Sequence, residues 1–526
     1  MKSSRAAAAK APGRHLLKGS IWMIAWRWAV RLIGVISTML LARLLTPVDF
    51  GIVTMALIFV GLMEALNMGG QQLALIRLPA PTRAHYDTAW TLYVIMGFAI
   101  GATIAALAPL TRLYFSDPRV VPVMQCMALR SVIGGFENIG TVDFRRDLQF
   151  RRSFLYNCFP KLVSLFVVVP LAIVLRSYWA LVIAMLASEF SQIVLSYIMH
   201  PYRPRFSLEK FSDIFSFSFW TLSGLFGQYA NTQVDLAAVG GVSGVAAMGR
   251  YSLATDLATL PSREINGPMV IALYPVMATV IGDRQRLRDL YLRTLCWSAI
   301  ICASTSVGVA CVAHDLVRFV LGPKWLGAEP LVGWLALSAG VLGLSSGAYT
   351  TFDAIGQPYT GARMQWTRLL LLVVAVAPVA YLTHNAQLIA VTRLVVTIVF
   401  VPNLFFVIGR AIDVSPQDYL MAFWRPFAAA GAMAALLYFA NMHLPFVSTL
   451  RLVCDVLLGA ATYGATLLSL WALSGCPDTP ERDLIRFFQS RWPFSGNGAP
   501  ALRPDTDRPA PAMEAMPNRA EAPTNE

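Results

Sequence analysis

From about residue 17 to residue 474 the chain returns again and again to apolar stretches of some twenty residues, separated by short polar turns. A helix rises about 1.5 Å per residue, so roughly twenty apolar residues cross the hydrocarbon layer of a bilayer. Hydrophobic residues make up 56% of the sequence and charged residues only 13%, about half the charged share of a soluble domain. Such a chain cannot cover a water-facing surface, and its main solvent is lipid. A cytosolic enzyme, a secreted domain and a nucleic-acid binder are disfavoured, despite a net charge of +13. In a membrane protein, excess Lys and Arg points first to cytoplasmic loops.

The pattern predicts an all-α, polytopic membrane protein with fourteen spans: 17–42, 48–68, 88–113, 120–140, 154–175, 178–199, 212–238, 246–273, 290–320, 328–354, 364–383, 386–409, 421–441 and 449–474. Spans two, four and eight are the weakest, because they carry Glu64, Arg130 with Glu137, and Asp256. The first apolar run is too long for a signal-peptide core and lacks a clear cleavage site, so it reads as a retained span. No connection is long enough to hold a folded domain outside the membrane. After about residue 494 the tail is rich in Pro and Ala, with few large apolar residues, and is expected to be disordered. The segment Pro480 to Trp492 is expected to form a short amphipathic helix on the membrane surface.

Loop charges set the orientation. With the N-terminus inside, the interior connections hold sixteen basic residues, among them Arg145, Arg146, Arg203, Lys210, Arg284, Arg286, Arg363 and Arg368. The exterior connections hold seven: Arg43, Arg112, Arg119, Arg176, Arg318, Lys324 and Arg451. This bias places both termini in the cytoplasm.

A charge inside a span costs about 2.5–3.5 kcal/mol on insertion scales, so each one needs a partner or a water-filled cavity. In the first span Ser20, Ile24, Arg27, Arg31, Gly34 and Thr38 recur at steps of three and four, on one helix face. Arg27 falls about 15 Å into the span, near the midplane. Two arginines one turn apart repel unless an anion or acidic side chains approach, and the guanidinium fork matches phosphate geometry. Arg27 and Arg31 are therefore candidate anion ligands in a central cavity; a structural match with Glu64 or Glu137 is the alternative. The seventh span carries a second stripe, Thr221, Gly224, Gln228, Asn231 and Asp235, suited either to sugar hydroxyls, a proton or a sodium ion, or to bonds between helices. Asp235, expected near the outer end of that span and exposed, is the candidate coupling group. Glu64, Arg130, Glu137, Asp256, Arg263 and Glu264 are further cavity charges or structural ion pairs, and Arg250 is expected at the exterior mouth. The scattered cysteines and histidines form no metal motif, and no phosphate loop is present, so no cofactor is expected beyond a coupling H+ or Na+.

The two stripes suggest a repeat. Residues 17–56 laid on 215–254, an offset of 198, match Ser20 with Ser218, Trp22 with Trp220, Gly51 with Gly249 and Ala56 with Ala254. Four identities in forty are no more than chance gives, but the layout of polar-faced helix, turn, Gly and second helix is shared.

Four segments carry a family resemblance: Leu41 to Gly51 (LARLLTPVDFG), Asp143 to Arg152 (DFRRDLQFRR), Gly249 to Ala254 followed by Leu260-Pro261, and Gly322 to Trp325 with Ala328 and Pro330. In order and spacing the chain, over about residues 15–475, resembles bacterial polysaccharide and O-antigen flippases of the Wzx type. These belong to the multidrug/oligosaccharidyl-lipid/polysaccharide exporter superfamily, and the likeness is to its lipopolysaccharide, colanic and teichuronic acid branch. The resemblance implies a basic N-terminus (1–16), an N-terminal lobe (17–199), a C-terminal lobe (200–409), two extra helices (410–474) and a cytoplasmic tail (475–526). It implies alternating-access export of an undecaprenyl-pyrophosphate-linked oligosaccharide across the bacterial inner membrane, with no enzymatic step. Arg27 then meets the pyrophosphate, and a polysaccharide polymerase and a chain-length regulator become expected partners. A multidrug cation antiporter and a peptidoglycan-precursor flippase are the competing transport readings. A lipid-linked glycan polymerase or ligase would need a large periplasmic loop, and the spacing leaves no room for one.

Overall fold

The computed structural model describes residues 31–66, 70–78, 80–115, 117–147, 149–215, 219–280, 282–443, 448–475 and 479–482. Arg27, most of the 480–492 segment and the Pro/Ala-rich tail lie outside these. Residues up to Pro477 form one compact unit. Among the described residues all regular structure is helical.

Fourteen main helices follow one another: α1 (31–44), α2 (Pro47–Leu66), α3 (Arg83–Leu107), α4 (Val120–Gly134), α5 (Phe150–Leu175), α6 (Trp179–Met199), α7 (Phe219–Val242), α8 (Val245–Thr279), α9 (Arg284–Cys311), α10 (Glu329–Leu344 continued by Ser346–Ala354), α11 (Pro358–Thr383), α12 (Ala386–Ile412), α13 (Pro416–His443) and α14 (Ser448–Leu473). Ten segments among the described residues are long and apolar enough to cross a membrane. They correspond to α2, α3, α5, α6 and α9–α14, so the protein is a multi-pass membrane protein. The other four expected spans are helical but miss those criteria for identifiable reasons. The first begins outside the described residues. α4 is only 15 residues long and stops at Gly134 rather than at residue 140. α7 and α8 carry the polar residues that lower their hydropathy, including Gln228, Asn231 and Asp235, and Arg250, Asp256, Arg263 and Glu264.

Other boundaries move as well. α8 runs to Thr279, past the expected end at 273. The expected span 290–320 is two helices, because α9 stops at Cys311 and an amphipathic Ala313–Val320 follows. α11 starts at Pro358, where proline suits the first helical turn, which puts Arg368 inside the helix rather than in a loop.

Local chemistry sets several ends. Asp283 caps α9 by accepting from Arg286 N at 3.1 Å, and Asn385 caps α12 by accepting from Gln387 N at 2.8 Å. α5, α11 and α12 each stop on a left-handed residue, Arg176, His384 and Asp413. Asp49, in the first turn of α2, accepts from Thr46 N at 2.9 Å and from Tyr178 N at 3.0 Å, which ties α2 to the start of α6.

In chain order α1–α6 are taken as a first group and α7–α12 as a second. In the first, α3 lies on α4, α4 on α2 and α6, and α5 on α6; in the second, α7 lies on α11, α8 and α9 on α10, and α10 and α11 on α12. α13 and α14 pair with each other, and α13 docks on α9.

The groups meet where α2 crosses α8, near the N-terminal end of each helix. A Cβ on Gly51 would overlap the Val245 carbonyl, and a Cβ on Gly249 would overlap the Pro47 carbonyl. Only glycine permits that approach of backbones. Thr54 Oγ1 lies 3.1 Å from Ser252 Oγ, its equivalent 198 residues on. Residue 51 meets 245 as 249 meets 47, so contacts at the offset of 198 are reciprocal. The weak sequence repeat is thus a real pseudo-two-fold relation with Thr54 and Ser252 close to its axis.

Candidate functional site

The same end of the molecule is closed by a clasp between the two groups. Arg43 donates to the Phe319 carbonyl at 2.8 Å, Trp325 Nε1 to the Ala42 carbonyl at 2.8 Å, and Lys324 Nζ to the Arg43 carbonyl at 2.9 Å and also to that of Leu45. Arg250 sits at this end, lining a polar cavity of about 380 Å³ with Ser243, His384, Asn385 and Gln387.

Past the crossing, α1 and α8 carry charges that face each other. Arg31 Nε lies 3.5 Å from Glu264 Oε1, an ion pair between the two groups. Asp256 is exposed, with Arg31 and Arg263 within electrostatic reach. Arg263 is likewise accessible although it stands mid-helix. The structure therefore brings Arg31, Asp256, Arg263 and Glu264 together, and pairs Arg31 with neither Glu64 nor Glu137.

Those two acids belong to an interior cluster of the first group. Arg130 donates to Glu64 Oε1 and to Glu189 Oε2, both at 3.0 Å. Glu137 is buried and accepts from the Tyr156 hydroxyl, which itself accepts from Gln192 at 3.4 Å. Glu189 was missed in the sequence, although an acid midway along span six met the same insertion-cost criterion as Glu64.

The stripe on α7 divides. Gln228 is exposed, whereas Asn231 and Asp235 are each 1% exposed. Asn231 Nδ2 donates to the carbonyls of Gly227 and Gln365, both at 2.8 Å. Asp235 is not the exposed outer carboxylate expected of it. Its Oδ2 accepts from Arg393 Nη1 at 2.5 Å and from the Tyr251 hydroxyl at 2.6 Å. Its neighbours on α8 and α12 enclose it, because those helices pack over this face of α7. Arg393 was also missed, despite standing inside a plainly apolar span.

On the outside of the second group, α10, α12 and α13 frame an apolar groove of about 1000 Å³ lined by Val341, Ile398, Phe405, Phe406, Tyr419 and Phe423.

A family model described as polysaccharide biosynthesis protein matches residues 40–330, more than half of the chain. The chain belongs to that family. It is 24% identical over 443 residues to the succinoglycan biosynthesis transport protein ExoT of Rhizobium meliloti, covering 82% of this chain and 88% of that one. It is 21% identical over 462 residues to the teichuronic acid biosynthesis protein TuaB of Bacillus subtilis, covering 86% and 94%. To the lipopolysaccharide biosynthesis protein WzxC of Escherichia coli it is 21% identical over 329 residues, 61% and 66% of the two chains. Among solved structures it is similar to the lipid II flippase MurJ in an inward closed conformation, with TM-score 0.70 and 14% identity, over 89% of this chain and 100% of that one. An inward-facing multidrug resistance transporter of the MATE family aligns with TM-score 0.57 and 15% identity, over 73% and 94%. At these identities the structural likeness speaks to the fold alone.

Proposed function

We propose that this family member carries a lipid-linked oligosaccharide across the bacterial inner membrane, from the cytoplasmic to the outer face, for surface polysaccharide assembly. The observation that carries the reading is the charged cluster of Arg31, Asp256, Arg263 and Glu264 at the boundary of the two helix groups, past the end that the clasp closes and that the loop charges make the outer one. Two arginines and two carboxylates balance. Arg27, one turn before Arg31 on the same face by spacing, is the fifth charge that tips the site toward an anion such as a pyrophosphate. The groups act as an N-terminal lobe (17–199) and a C-terminal lobe (200–409) that rock about the site, with both termini cytoplasmic. The apolar groove beside α13 is lined for a prenyl chain. Transport draws on a proton or sodium gradient. With Asp235 paired to Arg393, and Glu64 and Glu189 both paired to Arg130, the buried Glu137 is the carboxylate assigned to that role. A polymerase and a chain-length regulator take up the delivered unit.

A cationic-drug exporter shares the fold, but arginines at the lobe boundary repel its substrate. The test is replacement of Arg27 in cells lacking the native gene. Arg27→Ala should remove surface polysaccharide at an unchanged protein level in the membrane, and Arg27→Lys should restore part of it, since lysine keeps the charge without the fork. Full export by the alanine variant would overturn the reading. Cells deprived of the protein should grow without surface polysaccharide; a block in growth with accumulated peptidoglycan precursor would instead favour a peptidoglycan-precursor flippase.

A further inference from the structure

A second charged site lies within the C-terminal group, apart from the lobe boundary. Arg368 stands on α11, about 15 Å along from Pro358. It is 3% exposed, and its Nε and Nη2 have no hydrogen-bond partner. The ionisable groups within its electrostatic reach are Arg393, Tyr349 and Asp235. Asp235 is the sole carboxylate of the three, and its Oδ2 is taken by Arg393 and Tyr251. Two arginines thus share one acid, and one positive charge is uncompensated among helices that stand in lipid.

The Tyr349 hydroxyl is also buried and unpartnered. With the two guanidinium N–H groups it supplies three donors for which no described residue provides an acceptor. A buried guanidinium without a counter-charge is among the costlier arrangements a membrane helix can hold, and buried polar groups are as a rule satisfied by something. Water can serve the free Asn231 Oδ1 and Asp235 Oδ1, which are acceptors, but it leaves the charge in place.

We propose that Arg368 and the Tyr349 hydroxyl hold a small monovalent anion of the halide class, hydrated on the side of Asn231 and Asp235. The enclosure decides the size: with Asn231 and Asp235 1% exposed and Arg368 3% exposed, a sugar-bearing pyrophosphate does not fit. The site lies on α7, α10, α11 and α12, so the ion neutralises one lobe from within and is separate from the transported substrate.

The test uses the purified full-length protein in detergent. It is exchanged into sodium gluconate, and gluconate is then replaced stepwise by chloride, bromide or iodide at constant sodium and ionic strength. The midpoint of thermal unfolding is followed by intrinsic fluorescence. A saturable rise of several degrees with halides is expected. Tyr349→Phe, which keeps the ring and removes one donor, should weaken the apparent halide affinity roughly tenfold. Arg368→Gln and Arg368→Met should abolish the rise, and if both fail to fold, an anomalous signal from bromide beside Arg368 in crystals of the native protein takes their place. An unfolding midpoint equal in gluconate and halide would overturn the proposal. So would a halide response unchanged in Tyr349→Phe and in the folded Arg368 variants. Neither result bears on export, which is read in cells.

Discussion

Asp235 and Arg393 allow a quantitative test of how charge is managed inside this bundle. Their side chains are 2% and 8% exposed and 2.5 Å apart. Removing one partner of a buried pair leaves the other charge unmatched and costs about 3–5 kcal/mol, whereas replacing both by apolar groups of similar volume is often nearly neutral. Asp235→Asn should fall at the upper end of that range, because it strands Arg393 beside the already unpaired Arg368. Arg393→Met should cost less, since Asp235 keeps the Tyr251 hydroxyl and gains Arg368 as the nearest cation. In the double variant Asp235→Leu/Arg393→Met the loss should be well below the sum of the single losses. Ordinary hydrogen bonds between membrane helices couple by about 0.6 kcal/mol and at most about 1.7 kcal/mol, so a coupling above about 2 kcal/mol distinguishes an ion pair from one more polar contact. Equilibrium unfolding of the purified variants in mixed micelles, followed by tryptophan fluorescence, gives the four stabilities of the cycle. Coupling below about 0.6 kcal/mol would refute the reasoning and mean that water, not Arg393, solvates Asp235.

Other outcomes follow from the same geometry. In a cysteine-free background, Thr54→Cys/Ser252→Cys should cross-link under oxidation and arrest polysaccharide export, and reduction should restore it; free export with the cross-link formed would show that α2 and α8 need not part. Gly249→Val should abolish export or folding, because its side chain has nowhere to go against Pro47, while Gly431→Val, with open space around it, should be tolerated. Single cysteines at Arg146, Arg205 and Arg286 should resist a membrane-impermeant reagent added outside and one at Arg112 should react; labelling at 286 would invert the topology. If Glu137 is the coupling acid, Glu137→Gln in reconstituted vesicles should flatten the dependence of transport on an imposed proton gradient, and an unaltered dependence would exclude it.

Much of the architecture was legible in the sequence because a bilayer crossing has a length, and length shows in hydropathy. Of the spans that read as weak, the second is long and apolar enough after all, the fourth is short, and the eighth, like the seventh, carries polar residues that lower its hydropathy. Partnership was not legible. Arg393 lies 158 residues from Asp235, and Glu189 lies 59 from Arg130; nothing local in either segment announces its mate. Arg368 was misread for a simpler reason. It follows Arg363 at the edge of the apolar run, and only the helix start at Pro358 moves it into the bundle. Arg31 finds its acid in Glu264 on α8, 233 residues away, rather than in Glu64 or Glu137.

The reciprocal crossing of α2 and α8 has a consequence for how such chains vary. Gly51 answers to residue 245 and Gly249 to residue 47, and at both the atom met first is a backbone carbonyl oxygen. A bulkier residue at either position cannot be rescued by trimming its opposite number, since the carbonyl oxygen would remain. Compensation has to come from translation of one whole helix, and that displaces the equivalent contact across the pseudo-axis. Drift at the crossing is therefore coupled in pairs. Homologues should either keep small residues at both 51 and 249 or lose them together, with the α2–α8 spacing widened at both contacts at once.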